Sequence, residues 1–386
     1  MIFSSRAVRR PMLLAAVLGL LTTSGCAALG PWWGSHAPRA DLRPGDAGAA
    51  DDPAERQRLS QVALDGCTPA ERAAGDEARY EATGWWDPLR RFWSNMFGQV
   101  TVRLDVTAMS PTFCETFGGP LDIAERGHNP DGRWRTNYWF GSDGYVHDYE
   151  GNVSQWPDQA SSRMLDREVQ LYSDPNYAPE LPSPFSTQGG ALTISALANP
   201  DPRNPKAIQP NTGQVARYIS GLITTQNSFR QTYGYFEAVV SLSSVRGAFP
   251  AFWLLGEPYT AYQNDEIDIF EQLGKFPQKL WMSTVLPRLS VGTSEKMDGI
   301  DMSRPRAVGL LWTPDRLTWF IDREPVYTTA NAGYHQPMYM LLNQAVGGWD
   351  GNMPEDAAAF PARMKIYSVR AWTLPPPGGR PIFKLR

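Results

Sequence analysis

Short apolar or alternating segments, separated by Gly, Pro, Asn and Asp, fill the chain from about residue 98 onward. Segments such as LTISAL, YGYFEAVVSL, EIDIFEQ and MYMLLNQAV are rich in β-branched and aromatic residues, and no repeat of fixed period connects them. This spacing favours an antiparallel sandwich over alternating β and α units. It predicts an all-β domain over residues 99–386, a length that one large sandwich can use.

The composition suits such a domain and excludes one class of partner. The chain has 14 Trp, 15 Tyr and 16 Phe beside 34 Gly and 33 Pro, which is typical of a turn-rich β protein. Most of these aromatic rings are expected in the core, but their flat faces can also stack on sugars. Because 36 Lys and Arg balance 40 Asp and Glu without long runs of one sign, we do not expect a nucleic-acid partner.

The N-terminus has the pattern of an export signal. Three arginines precede the apolar run MLLAAVLGLL at residues 12–21, which is too short for a stable membrane-spanning helix and has the length of a signal-peptide core. The following TTSGCA resembles a bacterial lipobox with Cys26 as the lipidated residue, although Thr23 stands where Leu is usual. The alternative is an ordinary signal peptide cleaved near Ala28. We expect a signal peptide over residues 1–25, export, and attachment to a bacterial membrane, at the outer membrane or the periplasmic face, only through the lipid.

Residues 26–98 predict a tether followed by short helices. The stretch up to about residue 50 is rich in Gly, Pro and Ala, and residues 52–64 and 69–82 have weak helical periodicity. Beyond Cys26 the chain has only Cys67 and Cys114, which can form one disulfide outside the cytoplasm or remain two buried thiols.

The segment EIDIFE, residues 266–271, carries three carboxylates on a predicted strand. In a regular strand Glu266 and Asp268 share one face and Glu271 lies on the other, because side chains alternate. A β-bulge at Ile269 and Phe270 would add one residue and bring all three carboxylates to the same side.

Three carboxylates on one side have a specific chemical use. Two Glu side chains leaning together can reach the separation of about 5–5.5 Å found in retaining glycosidases, where one attacks the sugar and the other donates a proton. A carboxyl between them, here Asp268, can orient the attacking Glu and hold a shared proton. The alternative is a solvated strand face that carries three acids.

The surrounding motifs favour the catalytic interpretation. YGYFEAVVSLSSVRGAFPAFWLLG followed by DEIDIFEQLG resembles glycoside hydrolase family 16, and ETFGGPLD, VGLLWTPDRLTWFIDREPVY and PMYMLLNQAVGGWDG match further family motifs in the same order. The resemblance extends over about residues 115–375. It implies a β-jelly roll of two antiparallel sheets, with an open cleft on the concave face, that cleaves internal β-glycosidic bonds of a polysaccharide with retention.

The resemblance also implies roles for particular residues. Glu266 matches the nucleophile, Asp268 the assisting acid and Glu271 the general acid/base. Trp253 matches an aromatic residue lining the cleft, with a plain core Trp as the alternative. Asn343 is a candidate for bonding a sugar hydroxyl or, equally, a buried structural residue; the weaker candidates for stacking on sugars are Trp349 and Trp139.

The sequence departs from the family pattern in ways that bear on the substrate and on metal binding. Val239 stands where many β-1,3-glucan-cleaving members have Arg, so laminarin is not assured as a substrate. Tyr367 replaces a ligand of a structural calcium found in many members, and the histidines show no metal spacing, so we expect neither metal nor cofactor.

The leading hypothesis is therefore an exported, lipid-anchored and monomeric enzyme that acts on a β-glucan or a bacterial exopolysaccharide. The alternatives are a transglycosylase with the same covalent intermediate and a carbohydrate-binding jelly roll without catalysis.

Overall fold

A computed structural model describes residues 102–123, 132–136, 168–173, 175, 179–201, 203–204, 207, 215–226, 228–256, 265–286, 291–376 and 381–385. The predicted signal peptide, tether and helices over 52–64 and 69–82 lie outside these residues, as do Cys26, Cys67 and Trp139. Their assignments stay predictions. No helix in the described ranges is long and apolar enough to cross a membrane.

Eighteen β-strands make up nearly all of the regular structure in the described part of the chain, with short 3-10 turns at Val106–Ala108 and Ala357–Ala359. In chain order the strands are β1 (Val102–Leu104), β2 (Ser110–Glu115), β3 (Gln170–Tyr172), β4 (Phe185–Ser186), β5 (Leu192–Ala198), β6 (Tyr218–Ser220), β7 (Leu222–Thr224), β8 (Gly234–Leu242), β9 (Ala248–Gly256), β10 (Glu266–Glu271), β11 (Lys279–Leu286), β12 (Val291–Asp298), β13 (Arg306–Trp312), β14 (Arg316–Ile321), β15 (Glu324–Ala330), β16 (Met338–Val346), β17 (Ala362–Thr373) and β18 (Phe383–Leu385).

The strands form two large sheets and one small ribbon. The six-stranded sheet has the order β12-β11-β10-β9-β16-β7, which places β10 between β9 and β11. The larger sheet has the order β15-β14-β13-β8-β17-β5-β6-β3, with β2 paired to β17 and β4 paired to β5. Pairing is antiparallel except between β3 and β6, and β1 pairs with β18 in the ribbon.

The main core lies between the two large sheets because each strand alternates apolar and other side chains. From β8 the core receives Phe236, Ala238 and Val240, and from β10 it receives Ile267 and Ile269. The predicted all-β sandwich of two sheets is therefore confirmed. The open cleft stays a prediction.

The face of the larger sheet that points away from this core carries a buried ion pair. Arg323 holds Glu237 of β8 by two hydrogen bonds of 2.8 and 2.9 Å, and the Tyr235 hydroxyl donates a third at 2.9 Å. Burial alone would raise the pKa of Glu237, but the Arg323 charge and these donors bring it below its ordinary value. Glu237 is thus buried as an anion with a countercharge.

Cys114 at the end of β2 is disulfide-bonded, and the other cysteine of this bond lies outside the described residues. Of the two alternatives for Cys114, the structure therefore supports the disulfide over the thiol. A disulfide persists in a non-reducing compartment.

Candidate active site

The strand β10 contains the bulge that the spacing of its acids predicts. Against β11, Asp268 pairs with Ser283 and Glu271 pairs with Trp281, so β10 uses three steps where β11 uses two. Against β9 the register shifts between Asp268 and Phe270, which identifies Ile269 as the extra residue. The bulge is confirmed, and it returns Glu271 to the face of Glu266 and Asp268.

A tryptophan from the other sheet contacts the bulge directly. The indole N–H of Trp319 in β14 donates to the main-chain carbonyl of Asp268 at 2.8 Å, and the Trp319 side chain is fully buried. A bulge interrupts the hydrogen-bond ladder, so a buried carbonyl there needs another donor. Trp319 supplies that donor across the sandwich core and holds the backbone of the acidic strand in place.

We call the face of the six-stranded sheet that carries Glu266, Asp268 and Glu271 the acidic face. The strand register gives each carboxylate its neighbours on β9 and β11. Glu266 lies between Leu255 and Val285, Asp268 between Trp253 and Ser283, and Glu271 between Ala251 and Trp281. The strand neighbours of the three acids are therefore apolar or aromatic residues and one serine.

All three carboxylates are buried, with exposed fractions of 1% for Glu266 and 0% for Asp268 and Glu271. Burial raises the pKa of Asp268 well above its ordinary range, and the charges of Glu271 and then Glu266 add to that effect. Within the described part of the chain, no N–H or O–H group donates to either carboxyl oxygen of Asp268. Asp268 therefore holds its proton at pH values where an exposed aspartate has lost it.

The Glu266 carboxyl is the partner for that proton. The Asp268 and Glu266 side chains interact directly, and two carboxyls can share a hydrogen bond only if one of them is protonated. A proton held on Asp268 can be donated to a Glu266 carboxylate. The acidic face can thus present an ionised carboxylate and a second glutamate, Glu271. Double displacement needs such a pair of carboxyl groups.

Trp253 and Asn343 are brought together beside the acids. Trp253 on β9 is the strand partner of Asp268, and its indole N–H donates to the Asn343 side-chain oxygen at 2.9 Å. The Asn343 amide nitrogen in turn donates to the Tyr172 hydroxyl at 3.0 Å. Asn343 is only 3% exposed, and protein groups form hydrogen bonds with both ends of its amide.

Trp349 lies farther along the same face in an aromatic cluster. It packs edge-on against Phe249 at 4.9 Å and against Trp281 at 5.9 Å between ring centroids. Its exposed fraction is 7%. The structure thus places Trp349 on the acidic face next to Trp281, the strand partner of Glu271.

Three residues on this side of the sheet were not found from the sequence: Trp281, Tyr172 and Glu168. The alternation in KLWMSTVL places Trp281 on the same face as Ser283, so pairing β10 with β11 in the correct register would have identified it. Glu168 and Tyr172 alternate in EVQLY, but their partners lie far along the chain and no local pattern indicates them. In the described ranges, no group of three or more His, Cys, Asp or Glu side chains is arranged to hold a metal ion.

Sequence comparison relates the chain to carbohydrate-active enzymes. The family model described as glycosyl hydrolases family 16 matches residues 202–368. The chain is 30% identical over 325 residues to endo-1,3-1,4-beta-glycanase ExsH of Rhizobium meliloti, covering 82% of this chain and 62% of ExsH. It is 31% identical over 208 residues to a beta-glucanase of Rhodothermus marinus, covering 48% of this chain and 68% of that relative. The chain therefore spans less than two thirds of the length of ExsH.

Structural comparison supports the fold. The endo-beta-1,3-glucanase of Pyrococcus furiosus superposes with a TM-score of 0.52 at 20% identity, covering 71% of this chain and 98% of that one. At this identity the similarity concerns the jelly-roll fold alone.

Replacing Asp268 by Asn should stabilise the protein at neutral pH while lowering any activity of the acidic face. Since the pKa of Asp268 is raised on folding, the wild type loses stability relative to the variant as pH rises from about 4 through the folded-state pKa. The stability difference between the variant and the wild type should widen over this pH range and then stay constant above the folded-state pKa. Urea unfolding at several pH values measures it.

Asp301→Asn is the matched control with the opposite sign. Hydrogen bonds from Ser303 lower the pKa of Asp301, so its ionised form contributes stability above the unfolded-state pKa. Relative to the wild type, this variant should lose stability as pH rises toward the unfolded-state value of about 4 and should stay less stable by a constant amount above it. If the difference in unfolding free energy between Asp268→Asn and the wild type stayed constant between about pH 4 and 7, the assignment of a retained proton to Asp268 would be wrong.

Proposed function

The chain belongs to glycosyl hydrolase family 16, and on that premise we propose that it hydrolyses internal β-1,3 or β-1,4 bonds of a glucan-type polysaccharide with retention at the anomeric carbon. The observation that carries this function is the bulged strand β10, which turns three buried carboxylates to one face. The substrate class follows the names of the relatives, which are a 1,3-1,4-beta-glycanase and a beta-glucanase.

In the first step a Glu266 carboxylate oxygen attacks the anomeric carbon while the bond from that carbon to the glycosidic oxygen breaks. Glu271, protonated, gives its proton to the leaving oxygen. The step forms a glycosyl ester on Glu266 and releases the part of the polymer that carries the new hydroxyl. Asp268 assists by donating a hydrogen bond to Glu266, which keeps the attacking oxygen oriented.

In the second step Glu271, now a carboxylate, takes a proton from water. The water oxygen bonds to the anomeric carbon, and the ester bond to Glu266 breaks and restores its carboxylate. Each step inverts the anomeric carbon, so two steps retain its configuration. From the protein, these two steps need the two glutamates, assistance from Asp268 and a sugar held against the acidic face; water supplies the second nucleophile.

We also propose that the chain is exported and tethered by a lipid on Cys26. The basic start, the apolar run at 12–21 and TTSGCA support this, and the disulfide at Cys114 suits a compartment outside the reducing cytosol. An exported location would place the enzyme where polysaccharides accumulate.

The first product of hydrolysis should be the β-anomer. If the bulge brings Glu266 and Glu271 within about 5–5.5 Å, there is no room for a water between carboxylate and sugar. Proton NMR of mixed-linkage β-1,3-1,4-glucan, recorded in the first minutes before mutarotation, detects the new reducing end. An α-anomer at the start would contradict retention, and products longer than the substrate would identify a transglycosylase instead.

Glu266→Gln should lower kcat roughly 10³-fold or more, because the glycosyl ester can no longer form. Glu271→Ala should recover part of its activity with azide or with an activated aryl glycoside, since a good leaving group needs no proton. The release of reducing ends measures kcat of Glu266→Gln. The release of the aryl group measures the rescue of Glu271→Ala.

Glu355→Gln is the control, since Glu355 is 72% exposed in an ion pair with Arg246 and lies outside the proposed site. Its kcat should equal that of the wild type. Wild-type turnover in Glu266→Gln, or an absence of rescue in Glu271→Ala, would assign these roles to other residues.

Cys26→Ser should move the full-length protein from the membrane fraction to the soluble fraction without changing kcat, because the lipid serves only for attachment. Fractionation of cells that express either form, followed by an activity assay, measures both effects. An unchanged membrane-bound share would refute the lipid on Cys26.

A further inference from the structure

A short segment before β3 lies against the end of β16, close to the acidic face. Glu168 pairs with Gly347, and the Val169 N–H donates to the Val346 carbonyl at 2.9 Å. The Val346 N–H donates back to the Gln170 side-chain oxygen at 2.7 Å. These contacts place Glu168 where a buried carboxylate can reach Tyr172 on the same segment.

A row of hydrogen bonds connects this carboxylate to Trp253. The Trp253 indole donates to Asn343 at 2.9 Å, Asn343 donates to the Tyr172 hydroxyl at 3.0 Å, and Tyr172 donates to Glu168 at 3.3 Å. We call these four residues the Trp253 relay. Their exposed fractions are at most 6%, so each bond is shielded from water.

The chemistry of the groups determines the direction of the relay. An indole N–H can only donate, so the Asn343 oxygen must face Trp253 and the Asn343 NH₂ must face Tyr172. The Tyr172 hydroxyl accepts from Asn343 and directs its own proton to Glu168. The relay therefore ends at an acceptor, and a carboxylate suits this end because charged acceptors make stronger hydrogen bonds.

A second donor confirms that the end of the relay is an acceptor site. The Gln170 NH₂ donates to the other Glu168 oxygen at 2.6 Å. Because the Gln170 oxygen already accepts from Val346, the Gln170 amide cannot turn around without losing that bond. A glutamine at position 168 would thus have to face one of the two donors with its own NH₂.

We propose that Glu168 is a positioning residue that, through Tyr172 and Asn343, fixes the Trp253 indole beside Asp268 for binding of the sugar. This rests on the proposed function, because it assumes that a sugar occupies the acidic face next to Trp253. A Trp ring can stack on a sugar only if its plane is held, and buried hydrogen bonds limit its rotation. Glu168 thus acts on substrate binding and not on the reacting bonds.

Removing one link of the relay should raise KM and leave kcat nearly unchanged. Tyr172→Phe deletes the hydroxyl that joins Asn343 to Glu168, and Glu168→Gln sets an NH₂ against a donor. We expect each to raise KM for mixed-linkage β-1,3-1,4-glucan roughly 3- to 10-fold, the change that corresponds to one lost hydrogen bond. Glu168→Asp keeps a carboxylate acceptor at the end of the relay. Its rise in KM should therefore be smaller than that of Glu168→Gln.

Tyr235→Phe is the matched control, since it also removes a buried Tyr–Glu hydrogen bond, of 2.9 Å, but on the opposite side of the molecule. It should lower the melting temperature without changing KM. In the Trp253→Phe background, where no indole N–H remains, Tyr172→Phe should cause no further rise in KM. Independent, multiplicative effects of the two substitutions would overturn the relay.

A spectroscopic measurement tests the relay without any substrate. Protein labelled with 5-fluorotryptophan gives a fluorine NMR signal for Trp253, which Trp253→Phe identifies. Tyr172→Phe should shift or broaden that signal, and Tyr235→Phe should not. An unmoved signal would refute the proposal even if the enzyme is active, whereas a moved signal with no cleavage of any β-glucan would refute the proposed function and not the positioning of Trp253.

Discussion

Three residues of β10 span the distance that two residues of β11 span, and this bulge orients the acidic face. Without it Glu271 would point into the core among Ile267 and its neighbours, and an unpaired buried carboxyl costs several kcal/mol. The bulge interrupts the hydrogen-bond ladder of the strand. Trp319 from the opposite sheet donates to the buried Asp268 main-chain carbonyl at this point, at 2.8 Å. The packing of the two sheets therefore helps to fix the orientation of the three carboxylates.

The molecule buries carboxylates in two physically different ways. Glu237 is buried as an anion, because Arg323 and Tyr235 supply charge and donors that lower its pKa. Asp268 is buried beside two other carboxyl groups, and within the described residues no hydrogen-bond donor reaches its oxygens, so its pKa is raised and it keeps a proton. The first arrangement contributes to stability at neutral pH, whereas the second reduces it. A strained acidic cluster of this kind is typical of a catalytic site, where function outweighs stability.

Contacts on both sides of β10 hold the acids. On the core side, Ile267 and Ile269 pack between the two sheets, and Trp319 donates a hydrogen bond to the bulge. On the acidic face, aromatic and apolar side chains take the neighbouring strand positions, and the Trp253 relay ends on Glu168, a residue far from β10 in the chain. The Trp253 relay and the three acids thus belong to separate groups of contacts that meet where Trp253 pairs with Asp268.

The amino-acid sequence by itself determined the all-β class, the acidic strand and its bulge, because alternation of side chains is a local property: EIDIFE can turn all its acids to one side only with an extra residue. It also placed Trp253 and Asn343 on strands near the acids, through motifs in matching order. Only the tertiary structure decided that Asn343 is held between Trp253 and Tyr172, that Trp281 lies opposite Glu271, and that Trp319 and Glu168 support the site. These contacts depend on strand register and sheet packing between residues that are distant in the chain. No local sequence pattern predicts which donor will meet which acceptor.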